Sequence, residues 1–349
     1  RRRRADRAGA AAARPLAGLT AALAGCDAPP AETYDVALLD LDGVVNVGDE
    51  AAPHAVDALA EARRFGIRTA CLTNNASRSA ADVAERLRTL GMDIAADDVV
   101  TSAQAAAHLL ANRLDAGATV LVAGAEALRD EVTAAGLCAV ADADANPAAV
   151  VMGYDPTIDY ARLAEACVAI RRGALFVASN LDATLPTPRG PLPGMGSLAA
   201  LVITATGVRP VVAGKPERPL FDESVRRTRA RKPLVVGDRL DTDIAGARGA
   251  GIPAMVVLTG VTDLTALATA APGRRPDLVA ADLRGLNAHH PPADQGRCGD
   301  ALAEFDPKSS RIVIRSAGQP EENLAAVVTA GWKAIDDGLE VHDVERWQT

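Results

Sequence analysis

The sequence predicts an α/β protein: a parallel-sheet core interrupted by a second α/β unit and followed by a small α+β appendage. Three observations predict this. From Tyr34 onward, short runs rich in Val, Leu and Ile alternate with segments of helical spacing, the pattern of a parallel sheet with crossover helices. A separate group of such runs fills residues 118–180, and buried-strand patterns resume after it. Beyond Leu286 the chain turns polar and rich in Pro and Gly before a few further short elements.

The elements follow in order. VALLDLD (36–42) is an apolar run that ends in acids. Residues 54–65 have helical spacing through Val56, Leu59 and Ala60, with Arg63 and Arg64 near the end and Gly66 as the stop. IRTACLTNN (67–75) is the next strand, and Ser79 to Leu90 is a helix closed by Gly91. In the insertion, strands are predicted over 119–124, 148–153 and 174–180, with helices over 126–135 and 159–171. GVRPVVAGK (207–215), PLVVGD (233–238) and IPAMVVLTG (252–260) return to the core. The expected organisation is a disordered leader over 1–33, a discontinuous core over 34–103 and 207–286, an inserted domain over 104–206, and a linker with appendage over 287–349. Within the last, 289–300 reads as linker, 311–315 and 339–347 as strands, and 321–337 as a helix.

Composition narrows the function. The chain is 49% hydrophobic and 23% charged, enough apolar material for a sizeable core, but only 3% aromatic, so Val, Leu, Ile and Ala must fill it. A net charge of -8 and a pI near 5.2 argue against nucleic acid as a partner. A small anionic ligand remains compatible, because local groups outweigh net charge in a cleft. No run reaches the ~18 apolar residues of a membrane span. The five cysteines are scattered without a CxxC pair, so neither a disulfide framework nor a zinc site is expected. Leu23-Ala24-Gly25-Cys26 resembles a lipoprotein cleavage box, but the preceding apolar stretch is poor in Leu, Ile and Phe, which favours a plain leader and a cytoplasmic protein.

Four polar clusters each follow a predicted buried strand, where open α/β sheets bind ligands. The first is Asp40-Leu41-Asp42-Gly43. Alternation along a strand puts Asp40 and Asp42 on one side, and carboxylates so close repel unless a cation lies between them. The alternative is a pair of exposed loop acids. Thr73-Asn74-Asn75 offers a hydroxyl and amides to phosphoryl oxygens, or else a helix cap or turn. Lys215, in Gly214-Lys215-Pro216, could neutralise a phosphate, or be an ordinary surface lysine. Asp238, Asp241 and Asp243 suit a hard cation such as Mg²⁺, or cap the helix that starts near Asp243.

In this order the four clusters, DLDGVV, LTNN, AGKP and VGDRLDTDI, resemble the four motifs of the haloacid dehalogenase superfamily of phosphohydrolases. The long insertion after the second motif resembles the subclass with a C2-type α/β cap over a Rossmann-like core. That subclass includes nucleotide, p-nitrophenyl phosphate and 2-phosphoglycolate phosphatases. LTNNASRSA, DVVTSAQAAAHLLA, LPTPRGPLPG and VVGDRLDTDIAGA carry a further resemblance, to actinobacterial members that hydrolyse glycerol 3-phosphate. The resemblance implies that Asp40 is the nucleophile, forming an aspartyl-phosphate, and that Asp42 is the acid/base. It implies that Asp40, the Asp42 main-chain carbonyl and Asp238 hold Mg²⁺, with Asp243 supporting them, and that Thr73, Asn74, Asn75 and Lys215 bind the substrate phosphate. It implies a small phosphorylated metabolite as substrate and a possible homodimer through the cap.

Residues 180–186 and 193–197 are candidate specificity loops, the glycines of the second allowing close backbone approach. Asn46 stands where many members carry an aromatic residue. Leu185 stands where some vertebrate members carry a substrate-contacting histidine, which weighs against pyridoxal phosphate. The tail lacks a pyrophosphate-cradling run, so acetyl transfer is not expected of it.

Overall fold

The computed structural model of this chain describes residues 21–187 and 189–345. The core sheet has six parallel strands in the order Leu278–Ala280, Ala254–Val257, Pro233–Gly237, Val36–Asp40, Arg68–Thr73 and Val99–Thr101. Val36–Asp40 is central, and its alternation divides cleanly between two apolar layers. Val36 and Leu38 pack into one layer, Ala37 and Leu39 into the other. A strand buried on both faces needs such an unbroken apolar run, so Asp40 and the acids after it emerge only where the run ends.

Helix Ala80–Thr89 starts where the sequence predicts it: the Ser79 hydroxyl accepts from the Asp82 N–H, and the Asp82 carboxylate accepts from the Ser79 N–H. This capping box fixes the exit of the loop that carries Thr73 to Asn75.

The inserted domain is a five-stranded parallel sheet in the order Val211–Val212, Leu175–Ala178, Ala149–Met152, Thr119–Ala123 and Cys138–Val140. Its boundary differs from the expected 206. Val177 and Ala178 pair with Val211 and Val212, so the run 207–215 begins in the cap and only its end returns to the core. An apolar run does not say which of two sheets it joins. Helix Ser102–Ala111 joins the two parts, packing in one apolar cluster with Val120 of the cap and Leu220 of the core.

The C-terminal appendage carries a larger correction. Ala22–Leu23 is an edge strand, paired antiparallel with Ala293–Asp294, and Pro30–Thr33 is a helical turn. Residues 21–33 are therefore not part of a disordered leader, and residues 1–20 of that expectation lie outside the described residues. Cys26 donates its N–H to the His290 carbonyl at 2.6 Å. The expected linker 289–300 likewise holds strands, Ala293–Asp294 and Arg297–Cys298, leading into Ala301–Asp306 and Arg311–Ser316. Two-residue strands are too short to show a period. Of the final strand predicted over 339–347, the described part holds Asp343–Val344, which runs parallel to Arg311–Ile312, and residues 346–347 lie outside the described residues. Helix Pro320–Asp336 covers the sheet, and among its residues Leu324, Val327, Val328 and Trp332 join the same apolar cluster as Leu38 of the core. No helix among the described residues is long and apolar enough to cross a membrane.

Candidate active site

The carboxyl ends of three neighbouring core strands deliver Asp40, Thr73 and Asp238 to one place. A turn of helix over Leu240–Ile244 folds Asp243 back beneath them. Carboxylate oxygens of Asp40, Asp238 and Asp243 lie within 4.8 Å of one another. Lys215, only 4% exposed, reaches in from the crossing between cap and core. Its Nζ forms ion pairs with Asp40 Oδ1 at 2.6 Å and with Asp243 Oδ1 at 2.7 Å.

Three clustered carboxylates against one ammonium leave two negative charges uncompensated, the charge of one divalent cation. Burial lowers the Lys215 pKa, but Asp243 and Asp40 together outweigh it and raise it, so the lysine stays protonated. Burial raises the Asp40 carboxyl, against the opposing pull of Lys215. Burial also lifts Asp238 and Asp243 from 3.8 to about 6, with Asp243 acting on Asp238 and Asp40 acting on Asp243 in the same direction.

One atom says more. Asp238 Oδ2 accepts from the Val261 N–H at 2.6 Å, while Asp238 Oδ1 is buried with no hydrogen-bond partner. An orphaned carboxylate oxygen beside a surplus of negative charge is what a hard, oxygen-seeking cation such as Mg²⁺ fits. Asp40 and Asp238 are placed to hold it. Asp243 is occupied by Lys215 and by the Arg239 N–H, which suits a supporting role. The Asp42 carboxylate lies outside the cluster, so a part in holding the ion would fall to its main-chain carbonyl.

The raised carboxyls make a signed prediction. Asp238 and Asp243 bind a proton more tightly in the folded chain than in the unfolded one. In the metal-free protein that stabilisation is complete below pH 3.8 and is lost as the pH rises through about 6. Magnesium, which needs the ionised carboxylates, is therefore expected to raise Tm more at about pH 7.5 than at about pH 5. Thermal melts with and without the ion check this, and an equal shift at both pH values would count against the cluster as its site.

The second cluster divides. Thr73 Oγ1 accepts from the Asn75 N–H at 3.0 Å, which leaves the hydroxyl hydrogen to donate. Asn75 Oδ1 accepts from the N–H and the hydroxyl of Ser77, and its amide lines the cleft. The Asn74 side chain does not match its expected phosphate-binding role. Its Nδ2 donates to Asp182 Oδ2 at 3.0 Å and to the Lys215 carbonyl at 3.1 Å, while its Oδ1 accepts from the Lys215 N–H at 2.8 Å. Both amide hydrogens are used, so Asn74 clamps the Lys215 backbone and ties it to the cap. A Cβ at Gly214 would meet Asn74 Oδ1 at 2.5 Å and the Ser179 carbonyl at 2.6 Å, which explains the glycine before the lysine.

Above the acids lies a cleft of about 170 Å³. Both candidate loops line it, through Asn180, Asp182, Thr184, Leu185 and Pro186 and through Gly194 and Met195. They are fastened together: Thr184–Leu185 pairs with Leu192–Pro193, and the Ser197 hydroxyl donates to the Ala183 carbonyl. Sequence reasoning missed Tyr154 and Arg239, which also line the cleft. No local motif marks Tyr154, whereas Arg239 sits inside the fourth cluster. A larger hollow of about 670 Å³ lies between core and appendage, lined by Leu258, Leu264, Val279 and Leu324. Asp263, Asp282, Arg284 and Glu321 also line it, and Asp40 does not.

Comparison with known proteins agrees with this geometry. Residues 37–138 match the haloacid dehalogenase-like hydrolase family, and residues 212–286 match the HAD-hydrolase-like family. A D-glycerol 3-phosphate phosphatase of Mycobacterium tuberculosis is 51% identical over 257 residues, 74% of this chain and 72% of that protein. The chain belongs to the haloacid dehalogenase-like hydrolases. Mouse chronophin, another relative of this hydrolase, is 40% identical over 65% of this chain and 82% of its own length. Among solved structures, a glycerol phosphate phosphatase of M. tuberculosis in complex with magnesium superposes with a TM-score of 0.83 at 43% identity, covering 92% of this chain and 96% of that one. The 4-nitrophenylphosphatase of Thermotoga maritima gives 0.68 at 32% identity, covering 74% and 98%. The hydrolase thus shares more of its length with the first, a difference large enough to take in the appendage.

Proposed function

We propose that this hydrolase is a magnesium-dependent phosphatase that cleaves small phosphate monoesters through a phosphoryl group carried on Asp40, with glycerol 3-phosphate as its substrate. The observation that carries the reading is Lys215 held between Asp40 and Asp243 beside the orphaned Asp238 oxygen. The substrate follows from the relative named for D-glycerol 3-phosphate, at 51% identity.

Asp40 attacks phosphorus in line as the bond to the leaving oxygen breaks. Asp42 gives that oxygen a proton, then takes one from the water that cleaves the aspartyl-phosphate. Lys215, Thr73 and Asn75 bind phosphoryl oxygens and oppose the charge that builds there. Asp40, the Asp42 carbonyl and Asp238 would hold Mg²⁺, which would supply further positive charge against the developing negative charge. The cap loops exclude water and choose the alcohol. A cytoplasmic location and a cap-mediated homodimer complete the reading, supported by five unpaired cysteines and by Tyr160, 82% exposed on a cap helix.

Phosphate release tests it, with glycerol 3-phosphate, 2-phosphoglycolate, AMP, pyridoxal phosphate and p-nitrophenyl phosphate as substrates. Turnover is expected to require magnesium, to stop with chelator, and to show the highest kcat/KM for glycerol 3-phosphate. A 5′-nucleotidase of Bacillus subtilis, 36% identical, makes AMP the informative competitor. No turnover of any ester by the magnesium-loaded chain would overturn the enzymatic reading.

A further inference from the structure

Asp42 must deliver a proton along a defined direction, yet it is exposed at the mouth of the cleft. Asn46, four residues on, is only 3% exposed and opens the hairpin of Asn46–Val47 with Glu50–Ala51. Its main chain closes the loop after the nucleophile strand: its N–H donates to the Leu41 carbonyl at 3.0 Å and its carbonyl accepts from the Gly43 N–H at 2.7 Å. The backbone thus closes this loop without the side chain. The side chain does something else. Asn46 Nδ2 donates to the Gly48 carbonyl at 3.1 Å and to Asp42 Oδ1 at 3.0 Å.

We propose that Asn46 is the positioning residue of the acid/base, holding Asp42 by one oxygen and leaving the other to carry the transferable proton. The orientation of the amide is determined, because the Gly48 carbonyl only accepts and must face the NH₂ group. Arg86 donates to the same carbonyl at 2.7 Å and pairs with Asp49 at 2.8 Å, which anchors the turn to helix Ala80–Thr89. The second amide hydrogen is thus aimed from a fixed frame. Among the described residues it is the one hydrogen bond found on the Asp42 carboxylate. A carboxylic acid accepts best through its carbonyl oxygen, so an N–H at Oδ1 leaves the acidic hydrogen on Oδ2. That proton passes to the leaving alkoxide as the P–O bond breaks and the bond from Asp40 to phosphorus forms. Asp42, now a carboxylate still held by Asn46, takes a proton from the water whose oxygen displaces Asp40 from phosphorus.

The inference rests on the acid/base reading of Asp42, and leaving-group dependence separates the two. An alkoxide such as that of glycerol needs the proton, whereas p-nitrophenolate leaves with little help. In the full magnesium-loaded chain, Asn46→Leu and Asn46→Ala are expected to lower kcat/KM for glycerol 3-phosphate about ten-fold, the effect of losing one hydrogen bond to a charged group. For p-nitrophenyl phosphate the loss is expected to stay within about two-fold. The ratio of the two values does not depend on how much of a variant folds. An equal fall on both substrates, or no fall on either, overturns the role of Asn46. Asp42→Asn is the companion: if it keeps wild-type turnover of glycerol 3-phosphate, the acid/base reading itself has failed.

Discussion

Asp40→Asn is expected to lower kcat on glycerol 3-phosphate by at least ~10³-fold, because a neutral amide can neither attack phosphorus nor hold Mg²⁺ as a carboxylate does. The fold should survive. Asp40 is one of three clustered carboxylates that repel one another, so removing its charge relieves the metal-free site rather than straining it. Lys215 keeps its contact with Asp243. The variant is therefore expected to melt no lower than wild type without magnesium while losing turnover and most of the stabilisation that magnesium gives. Acid-quenched wild type should carry a phosphoryl group on the peptide containing Asp40, and the variant should carry none. Turnover within ten-fold of wild type would mean that the nucleophile lies elsewhere.

Trp332→Ala is expected to cost about 3–5 kcal/mol, a large part of an ordinary domain's stability. Trp332 is fully buried in helix Pro320–Asp336. Its Nε1 donates to the Leu267 carbonyl at 2.8 Å, across the junction with the core. Its ring lies 5.3 Å from the Arg275 guanidinium, which is itself fully buried and paired with Asp336 at 2.6 Å. Truncating the indole opens a cavity, strands a carbonyl and loosens the wall around a buried charge, so three costs coincide. Denaturant melts check it, and a loss below about 1 kcal/mol would mean that the appendage is only loosely attached. The apolar cluster that runs from Leu38 through Leu267 to Val327 makes the same point. Core and appendage share one interior.

Much of the site was legible in the sequence because its residues sit where buried strands stop. The apolar runs ending at Asp40, Thr73 and Asp238 are short, bounded and rich in branched residues, so both the strands and the polar residues after them could be read. Parallel sheets put successive strand ends on one edge, which is why clusters far apart in sequence could be expected together. The Asn74 clamp could not be read. Asn74 and Asn75 are the same residue type side by side, and only the approach of Lys215 and Asp182 from distant segments turns one into a structural tie and leaves the other lining the cleft. Asn46 was visible as a departure from the family pattern, but its hydrogen bond to Asp42 depends on the path of a hairpin.

The α/β class, the strand that ends at Asp40 and the four polar clusters could be read from the chain alone, because local periodicity and strand-end chemistry are written in neighbouring residues. Only the tertiary structure decided that Val211–Val212 belongs to the cap sheet, that residues 21–33 and 289–300 build the appendage, and which oxygen of Asp238 stays unpaired. Those outcomes turn on which sheet edge a two-residue strand reaches and which groups are dehydrated together. No local pattern carries that information.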